Sequence, residues 1–223
     1  MPKRTTPLID EQIYHVFNRG IDHRPIFQKH YDFRRALETI DYYRNINPPI
    51  KFSRFLILSN EKKNDIYTGF KNGKKHTKIL AYCLMTNHFH LLLKQVTENG
   101  ISKFMANFQN SYTKYINTKE ERTGPILLHQ FKAVRIETEN QLLHITRYIH
   151  LNPYTSFLLK KIEDIEKYEW SSFKKYLDTK EQDLIDKEAI LPLFKNLESF
   201  KTFTLDHADY QRKLGIIQHL LAE

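Results

Sequence analysis

The stretch Ile79-Leu80-Ala81-Tyr82-Cys83-Leu84-Met85-Thr86-Asn87-His88-Phe89-His90-Leu91-Leu92-Leu93-Lys94 decides how the chain is read. A continuous apolar run, a turn signal at Thr86-Asn87 and a second apolar run predict two central antiparallel strands joined by a tight turn. Side chains in a strand alternate between faces, so His88 and His90 share one face while Phe89 and Leu91 face a core on the other. Two imidazoles on one face are half of a site for one divalent cation.

The other half lies in Arg147-Tyr148-Ile149-His150-Leu151-Asn152-Pro153. Thr138-Glu139-Asn140-Gln141 offers a capping box ahead of Leu142, Leu143, Ile145 and Ile149, which predicts a helix to about Leu151 that ends before Pro153. Tyr148 and Asn152 are four apart and share a helix face, so a phenol and an amide can be delivered together to the cation. The two halves together point to metal-assisted attack of a tyrosine on a phosphodiester. Either half alone is equally well explained by a packed histidine or a boundary tyrosine. His144, one turn before Tyr148, is on the same stripe and is a candidate to order the phenol or a DNA phosphate. His150 is out of phase and reads as structural or DNA-facing. Tyr112 and Tyr115 fit the apolar stripe of their helix, and Tyr154 follows the proline, outside the predicted helix.

Outward from these segments, Ile13 to Asn18 reads as a strand that enters a turn at Arg19-Gly20. Phe33, Leu37, Ile40 and Tyr43 predict a helix over about 31–45, stopped by Asn47-Pro48-Pro49. The polar, lysine-rich stretch 47–77 reads as an insertion with one short helix or strand. Ile101, Phe104, Met105, Phe108, Tyr112 and Tyr115 predict a long helix over about 100–117, and Phe131 to Ile136 returns to strand. The order strand, helix, strand, strand, helix, strand, helix is a split βαβ plan, an α+β fold with an antiparallel sheet and helices on one side. Beyond Trp170 the chain is more charged. Yet Leu191, Leu193, Phe194, Leu197, Phe200, Phe203, Leu205 and the run Leu214 to Leu221 are too apolar for disorder. Residues 178–223 are therefore expected to form a helical C-terminal extension on a domain spanning 1–177.

Composition narrows the function. The chain has 223 residues, a formal net charge of +9 and a pI near 9.4, with the cations spread along its length. That balance favours a polyanionic partner, above all nucleic acid, and no basic amphipathic helix argues for a membrane surface. With only 6 glycines and no Walker or dinucleotide fingerprint, a glycine-rich phosphate cradle is excluded. Cys83, the sole cysteine, excludes an intrachain disulfide and a thiolate zinc site, and its apolar strand reads as packing. No signal peptide or membrane span is predicted, so the expected location is the cytoplasm.

One ordered series carries a resemblance: Ile13-Tyr14-His15-Val16-Phe17-Asn18-Arg19-Gly20, Ala81 to Leu92, Gly124-Pro125 with Phe131-Lys132-Ala133-Val134, Arg147 to Pro153, and Trp170-Ser171-Ser172. Up to about Leu177 the chain resembles the single-tyrosine HUH transposases, in particular the REP-associated tyrosine transposases. The resemblance implies a ferredoxin-like HUH endonuclease core, with His88 and His90 as metal ligands and Asn152 completing the site for Mg²⁺ or Mn²⁺. It implies Tyr148 as the nucleophile of a nickase-ligase that passes through a 5′-phosphotyrosine. Asn18, Arg19 and Arg24 resemble the segment that reads a single-stranded guide beside a hairpin. The implied partners are single-stranded or hairpin DNA and no membrane, with a homodimer left open. The alternative is a non-cleaving hairpin-binding protein descended from such an enzyme; replication initiators and relaxases commonly place the tyrosine elsewhere. After Gly124-Pro125, Ile126-Leu127-Leu128-His129-Gln130 departs from the family's aromatic or glutamine-glycine stretch, which bears on DNA contacts more than on chemistry.

Overall fold

The computed structural model describes residues 7–178 and 184–212. Four strands, β1 (Ile13–Arg19), β2 (Thr77–Met85), β3 (His88–Gln95) and β4 (Lys132–Ile136), form one antiparallel sheet in the order β2-β3-β1-β4. Helices α1 (His30–Tyr43) and α4 (Gly100–Lys119) make the crossovers, as the split βαβ pattern predicts.

The register follows from side-chain parity. Phe17 and Cys83 both pair with His90, so these three residues cross the sheet in one row on one face. Tyr14, Val16, Phe89 and Leu91 take the other face and are fully buried, each contributing roughly 1.5–3 kcal/mol by leaving water. Phe89 meets Phe108 of α4 with ring centroids 5.4 Å apart. Tyr112, on the same helix, donates its hydroxyl to the Ile26 carbonyl at 2.7 Å. The expected helical layer on one side of the sheet is this α1 and α4 pair.

Helix α5 (Glu139–Thr155) lies across the opposite face and brings Tyr148 over the histidines. Thr138 caps it by accepting from the Gln141 amide at 3.2 Å. The Gln141 side chain returns to the Glu137 amide at 2.8 Å, one residue earlier than a standard capping box. The helix does not end before Pro153. It runs through the proline because only one bond of its last turn lacks a donor, and the Ser156 amide still reaches the Asn152 carbonyl at 3.0 Å. Tyr154 consequently lies inside the helix.

The insertion holds two helices instead of one short element: α2 (Phe52–Phe55) and α3 (Asn60–Asn72). Ser59 caps α3, and Phe52, Phe55 and Phe70 gather around the buried Tyr42 ring at 5.0 to 5.2 Å. Helix α6 (Phe173–Leu177) closes the segment 1–177, and the C-terminal extension contributes α7 (Leu197–Leu205), which packs on the sheet domain. Phe200 is fully buried and stacks on Tyr176 at 4.9 Å. The Asp186 amide donates to Ile79 at the start of the apolar run of β2. The run Leu214 to Leu221 lies outside the described residues. No described helix is long and apolar enough to cross a membrane.

Candidate active site

β3 presents His88 and His90 to α5, and α5 presents Tyr148 and Asn152 to β3. The two imidazole rings stand edge to face, with centroids 5.0 Å apart. The Tyr148 ring lies 5.4 Å from the His90 ring. His90 and Asn152 are buried, at 6% and 4% exposure, while Tyr148 is 39% exposed and open to a ligand.

Hydrogen bonding fixes which histidine nitrogen is free. His88 Nδ1 lies 2.7 Å from Asn87 Oδ1, which only accepts, so the proton of a neutral ring sits on Nδ1. Nε2 then carries a lone pair and faces Asn152 Oδ1 at 3.3 Å. Satisfying both nitrogens with hydrogen bonds would need an imidazolium, yet burial lowers the His88 pKa, and His23 and Arg19 add to that direction against the Asn152 contact. Two lone-pair atoms held at this separation suit a shared cation, since ligands about 2.1 Å from Mg²⁺ at right angles stand about 3 Å apart. The Asn152 side chain, one turn further along α5, lowers the Tyr148 pKa against the larger upward effect of burial. One side chain thus stands between the candidate nucleophile and a candidate ligand, with its oxygen toward His88.

His15 is a member of the cluster that the sequence reading did not assign. Its Nε2 is 2.9 Å from His90 Nδ1, the two rings stack at 5.1 Å, and Tyr148 packs edge-on at 6.0 Å. Burial pushes the His15 pKa down to about 4 and holds that of His90 well below the usual histidine range. Both rings are therefore neutral at pH 7, as metal ligation and its support require. If His90 donates from Nδ1 to His15, its Nε2 is left as a donor atom for metal. The signal for His15 was its strand parity with Phe17, but the contact depends on cross-strand register. Among the described residues no three of His, Cys, Asp and Glu converge as a metal cluster. The third candidate donor is the amide oxygen of Asn152.

The other candidates scatter. Asn18 is on the Phe89 face, buried, with its amide donating to the Leu128 carbonyl at 2.9 Å and its oxygen accepting from the Arg19 amide. It ties the strand end to the loop after Gly124-Pro125 and does not reach the Tyr148 side, because parity puts it on the wrong face. Arg19 shares the histidine face, is exposed, and lies 3.1 Å from His23. Arg24 is solvent-facing, with Asp22 at 3.9 Å. His144 is exposed on the α5 stripe but sits beside Phe203 of α7 at 6.3 Å. His150 is fully buried, within hydrogen-bond reach of Ser172 Oγ at 2.8 Å, and is structural. The competing tyrosines hold structural bonds: Tyr112 to Ile26, Tyr115 to Asp32, and Tyr154 to Asp209.

Comparison with known proteins bears on the family and the fold. Residues 52–152 match the family described as IS200-like transposases, a span that includes His88, His90, Tyr148 and Asn152. A solved structure of a REP-associated tyrosine transposase bound to a REP hairpin is similar in fold. Its TM-score is 0.55 at 14% identity, covering 85% of this chain and 96% of that one. No curated protein matches the sequence.

Proposed function

Starting from an IS200-like transposase relative with the fold of a REP-associated tyrosine transposase, we propose that this chain cleaves and rejoins single-stranded, hairpin-flanked DNA through Tyr148. The observation that carries the reading is the meeting of α5 and β3: the Tyr148 ring lies 5.4 Å from that of His90, and Asn152, one turn on, puts its oxygen 3.3 Å from His88 Nε2. A hairpin-binding protein without chemistry has no use for that linkage. His88, His90 and Asn152 would hold Mg²⁺ or Mn²⁺, and when bound the cation supplies Lewis-acid neutralisation of the non-bridging phosphate oxygens.

The chain's own residues then do the following. Burial raises the Tyr148 pKa, while the Asn152 hydrogen bond opposes that shift by favouring the phenolate. Asn152 would thus stabilise the charge that the phenol oxygen acquires on losing its proton. Attack forms a bond from the Tyr148 oxygen to phosphorus and breaks the bond to the 3′ oxygen, which leaves as a 3′-OH. The product is a 5′-phosphotyrosine that keeps the bond energy, so a second 3′-OH reverses the step and no ATP is needed. Arg19, exposed on the histidine face, would contact the incoming strand, with Arg24 beyond it. His144 has the α5 stripe in common with Tyr148 and would touch DNA only from beside α7. Residues 1–177 would be the catalytic domain and 178–223 an extension, of which α7 packs against α5. The protein acts in the cytoplasm, where chromosomal DNA is.

The test is a labelled single-stranded hairpin incubated with the protein and Mn²⁺. A denaturation-resistant adduct should form, and mass spectrometry should place it on the peptide containing Tyr148. Tyr148→Phe should bind the hairpin within about twofold of the parent, since phosphate contacts dominate such interfaces, and form no adduct. An adduct that survives in Tyr148→Phe would move the chemistry to another residue.

A further inference from the structure

On the far side of the sheet from Tyr148, the outer surfaces of α1 and α4 and the segment 47–54 enclose an open cleft of about 1140 Å³. Its α4 wall is formed by Asn107, Asn110, Ser111 and Lys114, whose spacing puts all four on one helix face. The opposite face of the same helix carries the buried Phe104, Phe108 and Tyr112, so the outer stripe of amides, hydroxyl and cation has no part in packing. Lys51 and Arg54 stand on the facing wall, and no carboxylate is among the lining residues.

Arg35 is set deeper in the cleft and is the informative residue. Its guanidinium lies 4.5 Å from the Phe52 ring and 5.2 Å from that of Tyr115, and its buried Nε has no hydrogen-bond partner. Desolvation lowers its pKa, and the opposing influence of Glu38, on the next turn of α1, does not restore it. A half-buried cation without an ion-pair partner among the described residues is costly unless an anion completes it. Four more cations line the cleft: Lys51, Arg54 and Lys114, and Lys119, which is paired with the buried Asp32 at 2.7 Å.

We propose that this cleft binds the phosphodiester backbone of DNA, as a second contact surface separated from the cleavage site by the sheet. Cations on two walls suit a polyanion whose charges repeat along its length, and Asn and Ser side chains donate to phosphate and sugar oxygens without reading bases. The segment 47–54 belongs to the insertion, so the cleft is built partly by residues outside the split βαβ core. This inference rests on the DNA-handling reading above and adds a location to it.

The test measures hairpin binding by the full chain across a salt series. The triple variant Lys51→Ser/Arg54→Ser/Lys114→Ser is compared with Lys103→Ser/Lys161→Ser/Lys195→Ser, which removes the same charge from scattered exposed positions. The cleft triple should weaken hairpin binding about tenfold and flatten the salt dependence by about two to three in log–log slope, at roughly 0.9 per lost phosphate contact. The scattered triple should do neither. Equal effects in the two triples, or none in either, overturn the proposal. So does binding of inorganic phosphate or polyglutamate that the cleft triple abolishes while hairpin binding is intact, which would assign the cleft to a small anion or an acidic protein. Adduct formation on saturating DNA is scored separately. Cleft-dependent binding with no adduct in the parent sinks the chemistry of Tyr148 alone, and an adduct with cleft-independent binding sinks only the cleft.

Discussion

The two faces of β3 differ by one residue in phase and almost entirely in what they demand. Phe89, Leu91 and Leu93 are sealed at 0% exposure and have no polar atom to satisfy beyond the backbone. His88 and His90, interleaved with them, are held by Asn87 and His15 so that a lone pair on each stays available. One face is stable because nothing on it needs a partner. The other is kept reactive by buried polar groups whose hydrogen bonds leave something over. Substitutions at neighbouring positions should therefore act on different properties.

The largest contrast is between His88→Ala and Phe89→Ala. Removing His88 should abolish adduct formation while changing unfolding stability by less than about 1 kcal/mol, since the ring is only half-buried and its loss strands no core group. Removing Phe89 should cost about 3–5 kcal/mol, because its cavity is enclosed by β1 and α4. At a temperature where enough protein is still folded, Phe89→Ala should form adduct per folded molecule as the parent does. Denaturant unfolding paired with adduct yield per folded molecule checks both. If both substitutions reduced stability alike, the division of labour between the faces would be lost.

A smaller effect separates ligand from support on the reactive face itself. His15→Phe keeps a ring against Phe17 and Tyr148 but removes the acceptor for His90 Nδ1. Mn²⁺ affinity, measured by electron paramagnetic resonance on the full chain, should fall about 10–100-fold, as losses of outer-shell partners do. Hairpin affinity should be unchanged. His15→Gln, whose amide oxygen can accept, should recover part of the metal affinity. Equal affinity in parent and His15→Phe would reduce His15 to a packing residue.

The same two faces show what could be read from the sequence. The apolar runs of β2 and β3, the amphipathic periods of α1 and α4, and the pairing of Tyr148 with Asn152 are local patterns, and they led to the elements found. His15 escaped because its role needs the β1–β3 register, which no local period encodes. Asn18 is set apart from the Tyr148 cluster, and the signal for that was present: it has the parity of Val16 and faces away from His15. The helix α3 was under-read because lysines mask its short apolar stripe of Ile66, Phe70 and neighbouring Tyr67. Pro153 misled because a proline in the final turn forfeits a single bond, where one mid-helix also disrupts the turn before it.

The smallest expected effect is on pH dependence, and it extends the comparison to the buried histidine of α5. His150 is fully buried against Phe173, Tyr176 and Phe200, and burial brings its pKa down to about 3. Its unfolded value is near 6.5, so between pH 6.5 and 3 the unfolded chain takes up a proton that the folded chain refuses. The stability associated with the neutral ring is thus intact above pH 6.5 and is lost as the pH falls toward 3, at up to about 1.4 kcal/mol per pH unit. His15, with its value near 4, acts in the same sense over a narrower window. In His150→Gln the absolute stability should drop through the altered fit beside Ser172, but its decline between pH 6 and pH 5 should be shallower than the parent's by about 1 kcal/mol. Denaturant titrations at the two pH values give the difference directly, independent of any offset in absolute stability. An unchanged decline would mean that His150 is protonated in the folded state, and that its aromatic enclosure admits a charge.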